Sequence, residues 1–225
     1  YAVFSNGACI IDVREKRVLR METLPPGVVE TIIIITRQNG AIPALYNTEV
    51  FGQKVFYDTL EGACRFFVWY VTEDKRCVRI DDVMNYCHDV LQVGMIAERS
   101  SIFAIREALK GVTARVFALP FESPHFGGKN HDFWFLQVVA ESVSKIDALR
   151  QIALWLDVPG GRLVAVGDNY NDTDMISGAD VGVAMGNAPD EIKKLAHEVV
   201  GPNNGSGLAE AIERIVLKET YFTNA

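Results

Sequence analysis

Two aspartates lie four residues apart just after an apolar run. Residues 163–166 are uniformly apolar, as in a strand buried on both faces, and lead through Gly167 into Asp168. A helix is predicted to begin next, which places Asp172 in its first turn. Two carboxylates so placed can converge on one hard cation, because Mg²⁺ prefers oxygen ligands together with water and substrate phosphate. The alternative is that these acids only complement a helix dipole, which suffices for Asp174.

A lysine occupies the first position of another predicted helix. Ser144 and Asp147 have the spacing of a capping box, which makes Lys145 the first helical residue. Its charge opposes the helix dipole, and a nearby anion would remove the conflict. A phosphoryl group held by the ammonium and the free helix N–H groups is one such anion. The other interpretation is a solvated lysine, at a cost below about 1 kcal/mol.

The elements that must position these side chains follow an alternating pattern. From about Lys145 onward, short apolar runs alternate with amphipathic stretches, which is typical of βα units in a parallel sheet. A second strand is predicted over residues 181–185, a helix over about 189–199, and a last helix capped by Ser206. Asp168 then lies at the carboxyl end of a strand, where open α/β sheets bind ligands.

Residues 16–140 have a different pattern of predicted helices and alternating strands, which suits an α+β layer. The aromatic run at 66–70 is predicted to be a strand whose rings pack in the core. The hairpin loop at 120–131 contains His125 and His131, and is either a selectivity loop or a plain solvated turn. The other predicted elements are a helix over 26–39, a strand over 90–97, a helix over 100–110, and a hairpin of 112–119 with 132–139.

Composition excludes several classes of protein. The 225 residues carry a formal net charge of −7, which argues against a general nucleic-acid binder. The longest purely aliphatic run, residues 32–35, is far too short to cross a bilayer. The four cysteines show neither CxxC nor Cys/His metal spacing, so we interpret them as reduced thiols of a cytoplasmic protein.

Three stretches resemble the haloacid dehalogenase superfamily, specifically the Cof-like phosphatases with the large α/β cap of class IIB. They are residues 164–176 (VAVGDNYNDTDMI), 182–188 (GVAMGNA) and 203–209 (NNGSGLA). In addition, residues 5–8 (SNGA) resemble the segment that precedes the cap in that family.

This resemblance implies an α/β fold with two parts. Residues 1–15 and 141–225 would form a Rossmann-like core with a parallel sheet. Residues 16–140 would form an inserted α+β cap domain.

The resemblance also implies a mechanism. Family members attack a phosphate ester with an aspartate on the first core strand, form an aspartyl-phosphate, and hydrolyse it with a water activated by a second aspartate. Mg²⁺ bridges the nucleophile and the phosphate. By matching motifs, Asp168 and Asp172 would bind the metal, the latter directly or through water, and Lys145 and Asp168 would be catalytic. Substrate-binding residues would be Lys145, Asn171, Asn6 and Asn203.

Two family motifs are missing from the sequence. An Asp-x-Asp-Gly-Thr segment after an apolar strand occurs nowhere, and no Thr-Gly-Arg-like motif is present. We therefore expect the natural protein to be longer by roughly 60 residues, the size of two βα units, and the 225-residue chain alone to be inactive.

The expected activity is Mg²⁺-dependent hydrolysis of a small phosphorylated metabolite, such as a sugar phosphate, with no nucleic-acid or membrane partner. Two alternatives remain open. One is a phosphotransferase of the phosphomutase type, and the other is an inactive protein that binds a phosphorylated ligand.

Overall fold

The computed structural model describes residues 1–123, 128–157 and 161–217. The chain divides into two compact units, Tyr1–Val143 and Ser144–Ala225. The grouping of residues 1–15 with 141–225 in one domain stays a prediction.

A small antiparallel sheet opens the first unit. It contains β1 (Ala2–Phe4), β2 (Cys9–Asp12) and β3 (Arg17–Met21), in that order across the sheet. β1 is followed by a 3₁₀ turn, Ser5–Gly7, in which Asn6 has a φ of 59°. Asparagine tolerates this left-handed conformation better than most residues.

A mixed six-stranded sheet forms the rest of the first unit's framework. Its spatial order is β6-β5-β4-β7-β9-β8. The predicted hairpin is confirmed, because β8 and β9 pair in an antiparallel register that joins Val116 to Val138. The six strands are β4 (Ala44–Asn47), β5 (Val55–Tyr57), β6 (Cys77–Arg79), β7 (Val90–Glu98), β8 (Ala114–Ser123) and β9 (Gly128–Ala140).

The loop predicted between the two hairpin strands is longer than the loop in the structure. β8 extends to Ser123 and β9 begins at Gly128, so much of the stretch assigned to a loop at 120–131 is strand. Residues 124–127, with His125, and the side chain of His131 lie outside the described part.

Helices cover both faces of the larger sheet. α1 (Pro26–Gln38) and α3 (Arg99–Ala108) share a core with Val93 and Met95, whereas α2 (Arg65–Glu73) packs on the face that carries Ile96. The helix predicted from Pro26 is confirmed, although β-branched residues dominate its second half. Its buried positions explain this, since they recur at helical spacing: Val29, Ile32, Ile33 and Thr36.

The strand predicted over residues 66–70 is wrong. This segment belongs to α2, whose first turn is capped by the Cys64 Sγ accepting a hydrogen bond from the Phe67 N–H at 3.4 Å. The buried residues Phe66, Phe67 and Val71 give the helix one apolar face. The expectation that the rings form core is confirmed, because Phe66 and Phe67 are at most 1% exposed.

The second unit alternates helices with parallel strands. Its sheet has the order β10-β11-β12, with both neighbouring pairs parallel. The elements are α4 (Lys145–Leu156), β10 (Val164–Gly167), α5 (Thr173–Gly178), β11 (Val181–Ala184), α6 (Asp190–Lys193), β12 (Glu198–Val199) and α7 (Gly207–Ala211), followed by a π-helical turn, Ile212–Val216.

Two helix predictions in this unit are wrong in detail. The helix predicted over residues 189–199 ends at Lys193, and Val199 belongs to β12 instead. Ser206 precedes α7 but makes no side-chain cap, because its backbone adopts a left-handed conformation with φ of 63°. The local pattern therefore gave the order of the elements correctly, but not the length of α6 or the cap of α7.

All four cysteines are free. Burial raises the pKa of each thiol, and that of Cys77 reaches about 12. Within the described ranges, no helix combines the length and hydropathy needed to cross a bilayer.

Candidate active site

The turn after β10 brings a carboxylate against the end of the strand. A Cβ on Gly167 would lie 2.5 Å from the Cβ of Asp172, so only glycine lets the chain fold back this closely. Asn169 begins the 3₁₀ turn Tyr170–Asp172, and Asp172 completes a capping box with it. The segment that joins the two aspartates is therefore a tight turn and not one turn of a regular helix.

Asp172 is the central acceptor of this turn. It is buried, and its Oδ2 accepts hydrogen bonds from the backbone N–H groups of Asp168 at 3.0 Å and Asn169 at 3.1 Å. Its Oδ1 accepts a hydrogen bond from Lys145 Nζ at 2.6 Å. Both oxygens are therefore engaged by donors of the chain itself.

The N-terminus of α4 is anchored by acidic groups. Ser144 caps the helix as predicted, with its Oγ accepting from the Asp147 N–H at 3.3 Å. Asp174 Oδ2 accepts from Ser144 Oγ at 2.9 Å and from the Lys145 N–H at 3.0 Å. The Lys145 side chain is 22% exposed and ion-paired with Asp172, so it is not a freely solvated lysine. An anion does offset its charge at the helix start, and that anion is Asp172.

Asp168 lies at the carboxyl end of β10 in a different environment. Its Oδ2 accepts hydrogen bonds from Asn187 Nδ2 at 2.9 Å and from Asn203 Nδ2 at 3.4 Å. The backbone N–H of Asn203 in turn donates to Asn187 Oδ1 at 2.8 Å. Among the described residues, no ion pair involves Asp168, and no hydrogen bond reaches its Oδ1. The two aspartates are thus neighbours with distinct partners.

The residues of this site fit a divalent cation in part. Asp168 is a half-buried residue whose carboxylate has no cationic neighbour in the described part, and carboxylate oxygen is the donor that Mg²⁺ prefers. No group of three or more His, Cys, Asp or Glu side chains suited to a metal occurs among the described residues. Asp168 alone can therefore contribute one protein ligand, while water, substrate phosphate and any further carboxylate would supply the others.

The structure brings four of the six predicted site residues into one network. Lys145, Asp172, Asp168 and Asn203 are linked by the contacts above, and Asn171 lies beside them in the turn Tyr170–Asp172. Their predicted roles in binding metal and substrate stay predictions.

Asn6 belongs to the first unit. It is 8% exposed, and its Nδ2 donates to Gln137 Oε1 at 2.9 Å. Its predicted contact with substrate also stays a prediction.

Sequence reasoning missed two residues of the network, Asn187 and Asp174. Asn187 lies inside the stretch 182–188 that carries the family resemblance, which was the available signal for it. Asp174 was interpreted only as a complement to a helix dipole, whereas it ties α5 to the start of α4. The partners of these residues lie far away in sequence, since Asn187 binds Asp168 and Asp174 binds Ser144 and Lys145.

Comparisons with known proteins identify the family of this chain. A family model of haloacid dehalogenase-like hydrolases matches residues 1–212. The chain is 29% identical over 134 residues to the 5-amino-6-(5-phospho-D-ribitylamino)uracil phosphatase YitU of Bacillus subtilis, covering 57% of this chain and 45% of that protein. It is 39% identical over 66 residues to the pyridoxal phosphate phosphatase YbhA of Escherichia coli, covering 28% of this chain and 24% of that protein.

A solved structure shows the same fold. The sugar phosphatase BT4131 of haloacid dehalogenase subclass IIB superposes with a TM-score of 0.69 at 20% identity, covering 94% of this chain and 74% of that one. The curated relatives, in contrast, are matched over less than half of their own length.

Proposed function

This chain belongs to the family of haloacid dehalogenase-like hydrolases, as the Cof-like resemblance predicted, and from that premise we propose that it hydrolyses the phosphate ester of a small metabolite with Mg²⁺. The observation that carries the proposal is the network at the carboxyl end of β10. An ammonium group and a carboxylate with one uncommitted oxygen are held there by separate partners. Phosphoryl transfer requires such groups, because positioning and charge stabilisation supply most of its catalysis.

Lys145 would stabilise the negative charge of the phosphoryl group. Its ammonium is oriented by Asp172 through the 2.6 Å contact, so the cation does not need to reorganise when substrate binds. Asn171 would contribute an amide contact to the same group. Asp172 would support the site by fixing Lys145 and the backbone after β10, in addition to any water-mediated contact with the metal.

Asp168 would hold Mg²⁺, and Asp172, whose two oxygens already accept hydrogen bonds from the chain, would support the ion through water. When bound, the ion would neutralise charge on the phosphate and orient it for attack. The role of the chain is to present the Asp168 carboxylate at the strand end, with its Oδ2 already engaged by asparagine amides.

The nucleophile would be an aspartate on a strand that this sequence does not contain. β10 pairs with β11 on one edge, and its other edge has no strand partner among the described residues. A parallel strand added there would end beside Asp168, because the carboxyl ends of parallel strands share one edge of the sheet. The aspartate oxygen would attack phosphorus, the ester oxygen would leave as the alcohol after protonation, and water would then cleave the acyl phosphate.

The substrate class follows from the relatives. YitU and YbhA are named for phosphorylated small molecules, and BT4131 is named a sugar phosphatase. We accordingly propose a phosphorylated metabolite of this size, with a sugar phosphate as the first candidate.

The test is a phosphate-release assay on the protein expressed from its complete reading frame, with and without Mg²⁺. Asp168→Asn should abolish Mg²⁺-dependent turnover, and Lys145→Ala should lower kcat about a hundredfold or more, as expected for loss of a transition-state charge contact. Lys194→Ala, which removes an exposed lysine of the same unit, serves as the matched control. Full activity in both site variants would refute the proposal, and formation of a sugar-phosphate isomer without phosphate release would identify a phosphomutase instead.

A further inference from the structure

Asn187 contacts the proposed metal ligand but has no role in the function described so far. Its Nδ2 lies 2.9 Å from Asp168 Oδ2, and its Oδ1 lies 2.8 Å from the backbone nitrogen of Asn203. A role for Asn187 at this site rests on the proposed function only in that Asp168 is a ligand of a divalent cation.

The orientation of the Asn187 amide is fixed by its partners. A backbone N–H can only donate, so the amide oxygen of Asn187 must face Asn203. The NH₂ group then necessarily faces Asp168, and a carboxylate can only accept from it. If the amide were flipped, its NH₂ group would face the N–H donor of Asn203, and its oxygen would face the acceptor oxygen of Asp168. The contact with Asp168 is therefore a directed hydrogen bond.

Backbone contacts hold the two asparagines in register. The Gly186 N–H donates to Gly201 O at 3.1 Å, immediately before Asn187 and two residues before Asn203. A Cβ on Gly186 would lie 2.9 Å from both Val200 O and Pro202 N, so the two segments approach as closely as glycine allows. The Gly201 N–H donates in turn to Glu210 Oε2 at 2.8 Å, which ties the segment to α7.

The two oxygens of Asp168 consequently differ. Oδ2 accepts from both asparagine side chains, whereas Oδ1 accepts no hydrogen bond within the part of the chain that the structure describes. An oxygen that already accepts two N–H groups is a poor metal ligand, because cation binding there would have to displace a donor.

We propose that Asn187 is a positioning residue that holds Asp168 by Oδ2 and leaves Oδ1 as the single oxygen offered to a divalent cation. This arrangement sets the denticity of the ligand. Ca²⁺ favours higher coordination numbers and accepts bidentate carboxylates, whereas Mg²⁺ requires near-octahedral geometry with one oxygen from each ligand. Asn187 thus favours Mg²⁺ over Ca²⁺.

The experiment measures cation binding without substrate, on the protein expressed from its complete reading frame. Mg²⁺ and Ca²⁺ are titrated separately by calorimetry and by the shift in Tm that each ion produces. Asn187→Ala should weaken Mg²⁺ binding about tenfold or more, in the range observed when a hydrogen-bond partner of a metal ligand is removed. The same variant should weaken Ca²⁺ binding much less, because Oδ2 becomes available for bidentate binding.

Asn204→Ala is the matched control. Asn204 is exposed in the same loop, and within the described residues its side chain makes no hydrogen bond. It should bind both ions as the wild type does. An Asn187→Ala protein with wild-type Mg²⁺ affinity, or with equal losses for both ions, would overturn the proposal.

A second measurement does not depend on the folding of a variant. In a crystal of the wild-type protein soaked with Mn²⁺, anomalous scattering should place the ion on Asp168 Oδ1 with Asn187 still bonded to Oδ2. Bidentate binding, binding through Oδ2, or no ion at Asp168 would overturn the inference. Cation binding of the expected kind without phosphatase activity would reject the proposed function and leave the role of Asn187 intact.

Discussion

Lys145 and Asp172 place opposite charges where water has limited access. Their side chains are 22% and 10% exposed, and Asp172 also satisfies the N–H groups of Asp168 and Asn169. Removing one partner of such a pair leaves the other charge poorly solvated, which costs more than the pair itself contributes. The pair therefore serves the stability of the turn as well as the charge of the site.

Asp172→Asn tests this coupling. The change leaves Lys145 without its counter-ion and can present an NH₂ group to backbone donors, so we expect a loss of about 3 kcal/mol in the free energy of unfolding. Urea denaturation followed by circular dichroism measures it.

Glu107→Gln is a control of the same chemical type. It breaks an exposed ion pair with Lys110, whose members are 60% and 70% exposed, and should leave the unfolding curve unchanged within error. Equal curves for wild type and Asp172→Asn would mean that the buried pair contributes nothing to stability.

The positions of individual site residues could be predicted where the neighbouring residues in the sequence determine them. Asp168 follows the apolar strand β10 and Lys145 follows a capping serine, so the neighbouring residues alone predicted both placements. Asn187 acts on a residue 19 positions away, and Asp174 on one 29 positions away. Contacts of that range depend on how strands and loops pack, which no local pattern specifies.

At the scale of elements, α7 anchors the loop that carries Asn203. Glu210 accepts from the Gly201 N–H and from Arg214, and these hydrogen bonds, the first more than the second, hold the pKa of its carboxyl below the ordinary value. A lowered pKa in the folded state means that the contact stabilises the protein above the ordinary glutamate pKa of about 4.3. The contribution disappears as the pH falls through the lowered pKa.

Glu210→Gln should accordingly be less stable than wild type at pH 7, with a difference that shrinks as the pH is lowered below about 4. Thermal unfolding of both proteins between pH 3 and pH 7 measures the difference in Tm. A difference that stays constant over this range would show that the charge of Glu210 plays no part.

Predictions from local propensity were wrong for two elements whose structure depends on tertiary packing. Residues 66–70 favour a strand by composition, yet they form α2 because Cys64 caps the segment and Phe66, Phe67 and Val71 need one buried face. Conversely, α6 ends early because the segment after it pairs with β11, where the Val200 N–H donates to the carbonyl of Ala184 at the end of that strand. In both places tertiary packing outweighs propensities that differ by less than about 1 kcal/mol per residue.

At the scale of the whole molecule, each unit has its own hydrophobic clusters. Those of the first unit include Phe66, which is fully buried and packs against Phe133 with ring centroids 4.6 Å apart. Those of the second unit gather around β10 and β11, including Val181, Val183 and Ala165.

Phe66→Ala should therefore destabilise the first unit selectively, by about 3–5 kcal/mol. Tryptophan fluorescence can separate the two units, since Trp69 and Trp134 lie in the first and Trp155 in the second. Single-tryptophan proteins unfolded in urea should show a lower midpoint for Trp69 and a smaller change for Trp155. Equal shifts at both probes would show that the units unfold as one.

The raised pKa values of the four thiols give this protein a practical property. Maleimides react with thiolates, and burial raises the pKa of each natural cysteine, that of Cys77 to about 12, which lowers the thiolate fraction. A cysteine introduced on the surface, for example at exposed Glu61, would react first. Fluorescent labels could therefore be attached at chosen sites in each unit of the otherwise unaltered chain, and distances between them followed by energy transfer while substrate is added.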